Sequence, residues 1–188
     1  MAIELEETPA LVVIDLQVGI LGFPTAHPIA DVIDKSAALA EAFRAKGLPV
    51  VLVNVAGGAP GRTERSKASG QTGPRVIPAE AMAIVPELNQ QPSDITVTKT
   101  TLGAFLSTDL DAKLKAVGAT QIVLTGVSTT SGVESTARSA YELGYHVGFV
   151  IDAMTDAIEP HEASIAHQFP KLGELGTADE VLAAVAAR

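Results

Sequence analysis

The sequence predicts an α/β fold, a mainly parallel sheet with helices on both faces. Three observations lead there. Short apolar runs alternate with segments of helical period along the chain. The runs are continuous rather than polar on every second residue, as in strands buried on both faces. Polar residues then follow several of the runs directly, at the carboxyl ends where ligands bind in such sheets. A chain of 188 residues is long enough for one domain with a sizeable core and short for two, so a single domain over residues 1–188 is expected.

Ala10–Ile14 (ALVVI) is the first such strand. Asp31–Lys46 reads as a helix, with Ile33, Ala37, Ala40 and Phe43 on one stripe and Gly47 as its stop. Pro49–Val55 is a second buried strand, and Ile95–Thr98 a short third after the turn Gln91–Asp94. Thr108–Val117 has Leu110, Leu114 and Val117 spaced for one helix face, with Gly118 ending it. Gln121–Thr125 and His146–Ile151 are further strands. Between them, Ser131 followed by Glu134 has the pattern of a capping box, predicting Ser131 as cap and a helix from Gly132. Thr177 with Glu180 repeats the pattern and opens a last helix through Val181, Leu182 and Val185. Strands alternating with helices imply right-handed crossovers. The segment Glu159–Pro170 (EPHEASIAHQFP) reads as hinge-like, its histidines capping or packing. Ala56–Pro78, rich in Gly, Pro and Ser, lacks periodicity; leaving from the active edge, it is expected either to be a surface loop, to close over a ligand or to reach a neighbouring subunit.

Composition excludes some partners. The formal charge of −9 argues against nucleic acid and anionic membrane surfaces. No apolar run approaches the roughly 20 residues that span a bilayer. The opening MAIELEET has neither the basic start nor the apolar stretch of a secretory signal, and a cytoplasmic location is expected. With no cysteine there is no disulfide, thiolate ligand or thiol nucleophile. Ala56–Gly61 is no phosphate loop, since it leads to neither a Lys-Ser/Thr pair nor a clear helix.

Asp15, Asn54, Lys99 and the Gly126–Gly132 turn each fall just beyond a strand's carboxyl end and would meet on one edge. A carboxylate ending a buried strand is partly desolvated, which raises its pKa and suits Asp15 to proton transfer; the alternative is an Asp that caps a turn. A strand running into a turn and a helix start offers free backbone N–H groups to an anion or to developing negative charge.

The stretch GVSTTSGVESTARSA (126–140), with ALVVI-Asp15-x-Gln17 and TVTKTTLGAF around Lys99, resembles the isochorismatase-like, or cysteine hydrolase, superfamily over nearly the whole chain. The resemblance implies a six-stranded, three-layer fold of Rossmann-like order, with Asp15 as general acid/base and Lys99 as its partner. It puts Gln17 and Asn54 in the pocket, and gives Ser128 a backbone N–H for an oxyanion hole after a cis bond at Val127–Ser128. In most members the nucleophilic cysteine stands where this chain has Gly132. Losing the nucleophile of such a unit costs on the order of 10⁶ in rate, so thiol-type amide hydrolysis is not expected. True isochorismatases resemble this chain in having glycine there, and they protonate a vinyl ether, which needs an acid but no nucleophile. They differ in carrying Trp-Arg after the lysine, where this chain has Thr100-Thr101; Arg62, Arg65 or Arg75 is the alternative carboxylate clamp.

The expected function is therefore acid-driven hydrolysis of a small isochorismate-like molecule, at a site of Asp15, Lys99 and Gly132 with Gln17, Asn54, Val127, Ser128 and Ser131 around it. Two rivals stand beside it. One is a non-catalytic binding protein. The other is an amidase using activated water or a hydroxyl among Ser128, Thr129, Thr130 and Ser131. No cofactor is expected. Nicotinamidase-type relatives hold a metal after the second strand, where this chain has Asn54 and no histidine between His27 and His146, so no metal is expected either. The resemblance also implies a homo-oligomer, a dimer or tetramer.

Overall fold

The structure, a computed structural model, describes residues 2–20, 25–58, 63–70, 73 and 75–188. In chain order the elements are β1 (Pro9–Ile14), α1 (Ile29–Ala45), β2 (Val50–Val55), β3 (Gly57–Gly58), α2 (Glu64–Ser69), β4 (Arg75–Val76), β5 (Ile95–Lys99), α3 (Leu110–Ala116), β6 (Gln121–Val127), α4 (Glu134–Glu142), β7 (His146–Thr155), α5 (Ile158–His167), β8 (Glu174–Gly176) and α6 (Ala178–Ala186). Six strands form one parallel sheet in the order β5-β2-β1-β6-β7-β8. Taken among these six strands alone, that is the doubly wound order, and β1 and β6 flank the point where it reverses.

The continuous apolar runs are explained by two cores. Ala10, Val12 and Ile14 of β1 face one, built with Leu110 and Leu114 of α3 and Ala137 of α4. Leu11 and Val13 face the other, built with Leu39 and Phe43 of α1 and Val181 of α6. Because successive side chains of a strand point to opposite faces, a strand between two helical layers must be apolar at every position.

Several boundaries move. Helix α1 starts at Ile29, just after Pro28, and Gly47 ends it at φ 68°. The apolar spacing puts Val117 on the buried face of α3, but it lies beyond that helix's last turn and is exposed. Strand β7 continues past Ile151, because pairing with β6 resumes after a register shift, with Gly126 opposite Met154 and Val127 opposite Thr155. The hinge-like segment is instead helix α5, followed by a short 3-10 turn at Phe169–Lys171. Pro160 is tolerated there because it lies in the first turn, where its missing N–H has no intrahelical partner to lose. Strand β8 carries no pattern in its three residues, Glu-Leu-Gly. The segment after β2 is also not featureless: β3 pairs antiparallel with β4, and α2 lies between them with Thr63 accepting from the Ser66 N–H at its start.

Only one of the two capping boxes forms. Thr177 accepts from the Glu180 N–H at 3.3 Å, and the Glu180 carboxylate accepts from the Thr177 N–H at 2.8 Å. The Ser131 box does not form, for reasons given below. Thr177→Ala is therefore expected to lower stability by about 1 kcal/mol, and Ser131→Ala to change it by less than about 0.5 kcal/mol, both read from urea denaturation midpoints.

Candidate active site

Asp15 follows the last residue of β1 and takes φ 51°, a left-handed conformation that non-glycine residues adopt with strain unless they are Asn or Asp. Its N–H donates to Val53 O and its carbonyl accepts from the Gln17 N–H, which fixes this turn against β2. Lys99 ends β5, two strands away in the sheet, and reaches across β2 to Asp15 Oδ2 at 2.7 Å. Both side chains are almost wholly buried, 7% exposed for Asp15 and 3% for Lys99. Lys99 Nζ also donates to Leu102 O at 2.9 Å and Thr101 O at 3.3 Å. The ammonium is thus held by two carbonyls and the carboxylate. Among the described residues, Asp15 Oδ1 is buried with no hydrogen-bond partner. Burial pushes the Asp15 carboxyl from 3.8 up to about 6, outweighing the Lys99 ammonium that pulls it down.

The turn after β6 closes the other side. Gly126 sits at φ 106° so close to β1 that a Cβ on it would lie 2.0 Å from Ile14 O, so only glycine fits. The Val127–Ser128 peptide is cis. Thr129–Val133 then winds as a wide π-type turn directly into α4. Ser128 O accepts from both Ser131 N–H and Val133 N–H, at 3.1 Å each. Ser131 consequently lies inside the helical run instead of capping it. Glu134 does not reach back to it, since its carboxylate accepts from Arg138 and from Ser164 on α5. The cap comes from a distant residue: Asp156 Oδ2 accepts from Thr130 N–H at 3.0 Å and Thr130 Oγ1–H at 2.6 Å. Against burial, which raises it, these bonds and one from Ala157 N–H hold the Asp156 carboxyl below its ordinary range.

Gly132 comes to rest beside the acid. A Cβ built on it would be 3.2 Å from Asp15 Oδ2, 3.1 Å from Val127 O and 2.8 Å from Ile14 Cγ2. Asp15, Lys99 and Gly132 therefore converge at the switch point between β1 and β6. Thr136 joins the two loops that frame them, donating to Gly132 O at 2.6 Å and accepting from Ala104 N–H at 3.1 Å.

Gln17 and Asn54, expected to line the pocket, have structural duties. Gln17 is fully buried; its amide nitrogen donates to Val55 O and Ala81 O, and its oxygen accepts from Val55 N–H at 2.7 Å. With both N–H groups engaged, it is a strut between the ends of β1 and β2. Asn54 Nδ2 donates to Met82 O at 2.9 Å, anchoring the turn at Ala79–Met82. Val127 is fully buried and meets the site through its carbonyl. Arg62, and the side chains of Arg65 and Arg75, lie outside what is described. Among the described residues no group of three or more His, Cys, Asp or Glu is placed to hold a metal. Open clefts of about 430 and 650 Å³ lie elsewhere, one beside Tyr141, Tyr145 and His146, the other along α1 beside Arg44 and Asn89. Neither touches Asp15 or Lys99.

The fold agrees with what comparison with known proteins gives. The family profile of the Isochorismatase domain matches residues 9–180. The chain belongs to the isochorismatase family. It is 41% identical over 176 residues to the uncharacterized isochorismatase family protein YwoC of Bacillus subtilis, covering 92% of each. The structure of an isochorismatase family protein from Burkholderia thailandensis superposes with a TM-score of 0.91 at 41% identity, covering 99% of this chain and 100% of that one. The isochorismatase family is one of hydrolases, amidohydrolases among them. The ureidoacrylate amidohydrolase RutB of Stutzerimonas stutzeri is 31% identical over 183 residues, with 84% of this chain and 73% of RutB aligned. Among the described residues of this isochorismatase-family chain, no helix is long and apolar enough to cross a membrane. Sequence reasoning misses Asp156 and Thr136, which hold the turn in place. Thr136 is one small polar residue among many in its stretch, and Asp156 lies beyond the point where the apolar run of β7 breaks off.

Proposed function

We propose that this isochorismatase-family hydrolase cleaves a small enol ether of the isochorismate type by general-acid chemistry at Asp15, without a covalent intermediate. One observation carries the reading: a buried carboxyl whose Oδ2 pairs with Lys99 and lies beside Gly132, where a nucleophile's side chain would stand, while its Oδ1 has no partner among the described residues. Protonated Asp15 delivers its proton to the terminal alkene carbon, and the ether-bearing carbon becomes an oxocarbenium ion. Water adds to that carbon and returns a proton to the Asp15 carboxylate. The hemiketal then breaks its carbon–oxygen bond, releasing an alcohol and a ketone; one water is consumed. Lys99 keeps the carboxyl oriented and lets it re-ionise within the buried site. Backbone N–H groups of Ser128 and Gly132 are assigned to the substrate's negative charge. The reading includes a cytoplasmic dimer or tetramer, with the segment after β2 as a contact.

Amide hydrolysis is the second reading, favoured by the RutB relationship. The hydroxyls of Thr129 and Thr130 are already bonded to His161 and Asp156. The Ser128 side chain also hydrogen-bonds to Asp156, which leaves Ser131 or activated water. A pure binding protein has little use for a buried charged pair, whose desolvation is costly.

Turnover of isochorismate and of a panel of small amides, followed from pH 5 to 9, separates these readings. The acid must be protonated, so kcat/KM for isochorismate should fall about tenfold per pH unit above about pH 6. In Lys99→Met the ammonium that lowers the Asp15 pKa is gone, and the alkaline limb should move to higher pH. Amide turnover with no vinyl-ether cleavage would overturn the proposal, and turnover of neither class would favour the binding protein.

A further inference from the structure

We propose that Thr129 and His161 form a protonation-sensitive latch that holds the Ser128–Val133 turn in its working shape only while the imidazole is neutral. His161 on α5 is 3% exposed and Thr129 is fully buried, with Thr129 Oγ1 and His161 Nδ1 2.8 Å apart. The other ring nitrogen, Nε2, is buried with no hydrogen-bond partner among the described residues. The His27 ring stands edge-on to the His161 ring, centroids 5.0 Å apart.

That seat suits one protonation state. A neutral imidazole has one donor and one acceptor nitrogen, and a hydroxyl can answer either. An imidazolium has two donors, and here the second would be a buried charged N–H with no acceptor among the described residues. The neighbouring groups do not offset this fully. Asp156 at the end of β7 and Glu162 on α5 favour the cation, whereas His27 opposes it. Glu134 of α4, one turn along, is taken by Ser164 and Arg138, and Arg138 also reaches Gln168. Burial and His27 together lower the His161 pKa from 6.5.

The latch reaches further than one bond. Both turn anchors, Asp156 for Thr130 and His161 for Thr129, come from the stretch that runs out of β7 into α5, Asp156 just after the strand and His161 inside the helix. The same stretch binds the segment leading from β1 to α1: Thr155 Oγ1 accepts from His27 N–H at 2.9 Å, and Asp156 O accepts from Ala26 N–H at 2.8 Å. His161 and Thr129 are positioning residues that act through the turn. Their bearing on catalysis rests on the assignment of Ser128 and Gly132 to substrate charge, whereas their effect on the turn's order does not.

Because the folded pKa is lowered, the neutral histidine's contribution is fully present above pH 6.5 and is lost as the pH falls below it. Amide hydrogen exchange of residues 129–133, corrected for intrinsic rates, tests this without any substrate. In the wild type, protection at pH 5.0 should be measurably lower than at pH 7.5. His161→Asn places an uncharged amide nitrogen near the Nδ1 position and should abolish the pH dependence. Thr129→Ser should behave as wild type, and Thr129→Val should lose protection at both pH values. Equal wild-type protection at the two pH values overturns the latch, as does an undiminished drop in His161→Asn. Should Thr129→Val fail to fold, the wild-type comparison still decides. Absence of isochorismate turnover leaves these readouts intact, so the two proposals fail separately.

Discussion

Replacing Asp15 with Asn should lower kcat by about 10²- to 10⁴-fold, the range that a positioned general acid contributes. Asn is the informative substitution because it keeps the backbone. Asp15 sits at φ 51°, and Asn is the other non-glycine residue that tolerates that region well. Its amide oxygen can still accept from Lys99 Nζ, so the geometry survives while the transferable proton does not. Steady-state rates on the substrate that wild type turns over, with near-ultraviolet circular dichroism as the check on folding, measure the effect. What turnover remains should also lose the alkaline limb that begins near pH 6 in wild type. A folded Asn variant with wild-type kcat would remove Asp15 from the mechanism.

The second large effect concerns Gly132. A cysteine there does not turn this chain into a thiol amidase; it is expected to cost about 1–3 kcal/mol of stability, as overpacking of a filled core does. The obstruction is specific. Ile14 Cγ2 lies 2.8 Å from the new Cβ, and Ile14 is fully buried with a β-branched side chain that has little rotameric freedom. The Val127 carbonyl oxygen, 3.1 Å from the same Cβ, is backbone and cannot turn aside. Combining Ile14→Ala with Gly132→Cys should recover part of the penalty that the added side chain causes, which a double-mutant cycle of denaturation midpoints isolates. If Gly132→Cys were as stable as wild type and hydrolysed amides, the site would be an amidase missing one sulfur. The packing argues that this pocket is built around glycine.

Much of the fold is legible in the sequence because it rests on local periodicity. The runs at Ala10–Ile14 and Val50–Val55 are apolar throughout since both sheet faces are covered, and the amphipathic stripe of α1 announces its buried side. Asp15 and Lys99 are legible for a related reason, each being the polar residue that ends a strand. What escapes depends on long-range pairing. Strand β8 owes its three extended residues to the open edge of β7 and to nothing in Glu-Leu-Gly itself. Ser131 and Glu134 have the spacing of a capping box, yet Asp156 caps the turn from 26 positions away and Ser164 draws Glu134 off. Gln17 has the right place for a pocket residue, but the backbone of Val55 and Ala81 meets its amide first. His161 and Thr129 are 32 positions apart, and no local pattern joins them.

The placement of β1 has a consequence for how the protein is made. Its edges are filled by β2, which follows soon after it, and by β6, whose pairing with Pro9 begins only at Gln121. During synthesis a half-sheet of β5, β2 and β1 can form beneath α1, with the free edge of β1 apolar and unpaired. Such an edge is a template for intermolecular pairing, and non-local closure of this kind folds slowly. The crevice that holds Asp15 against the Gly132 turn is that same seam, open until β6 is made. A chain stopped before Gln121 would expose its most aggregation-prone edge and would have no site at all.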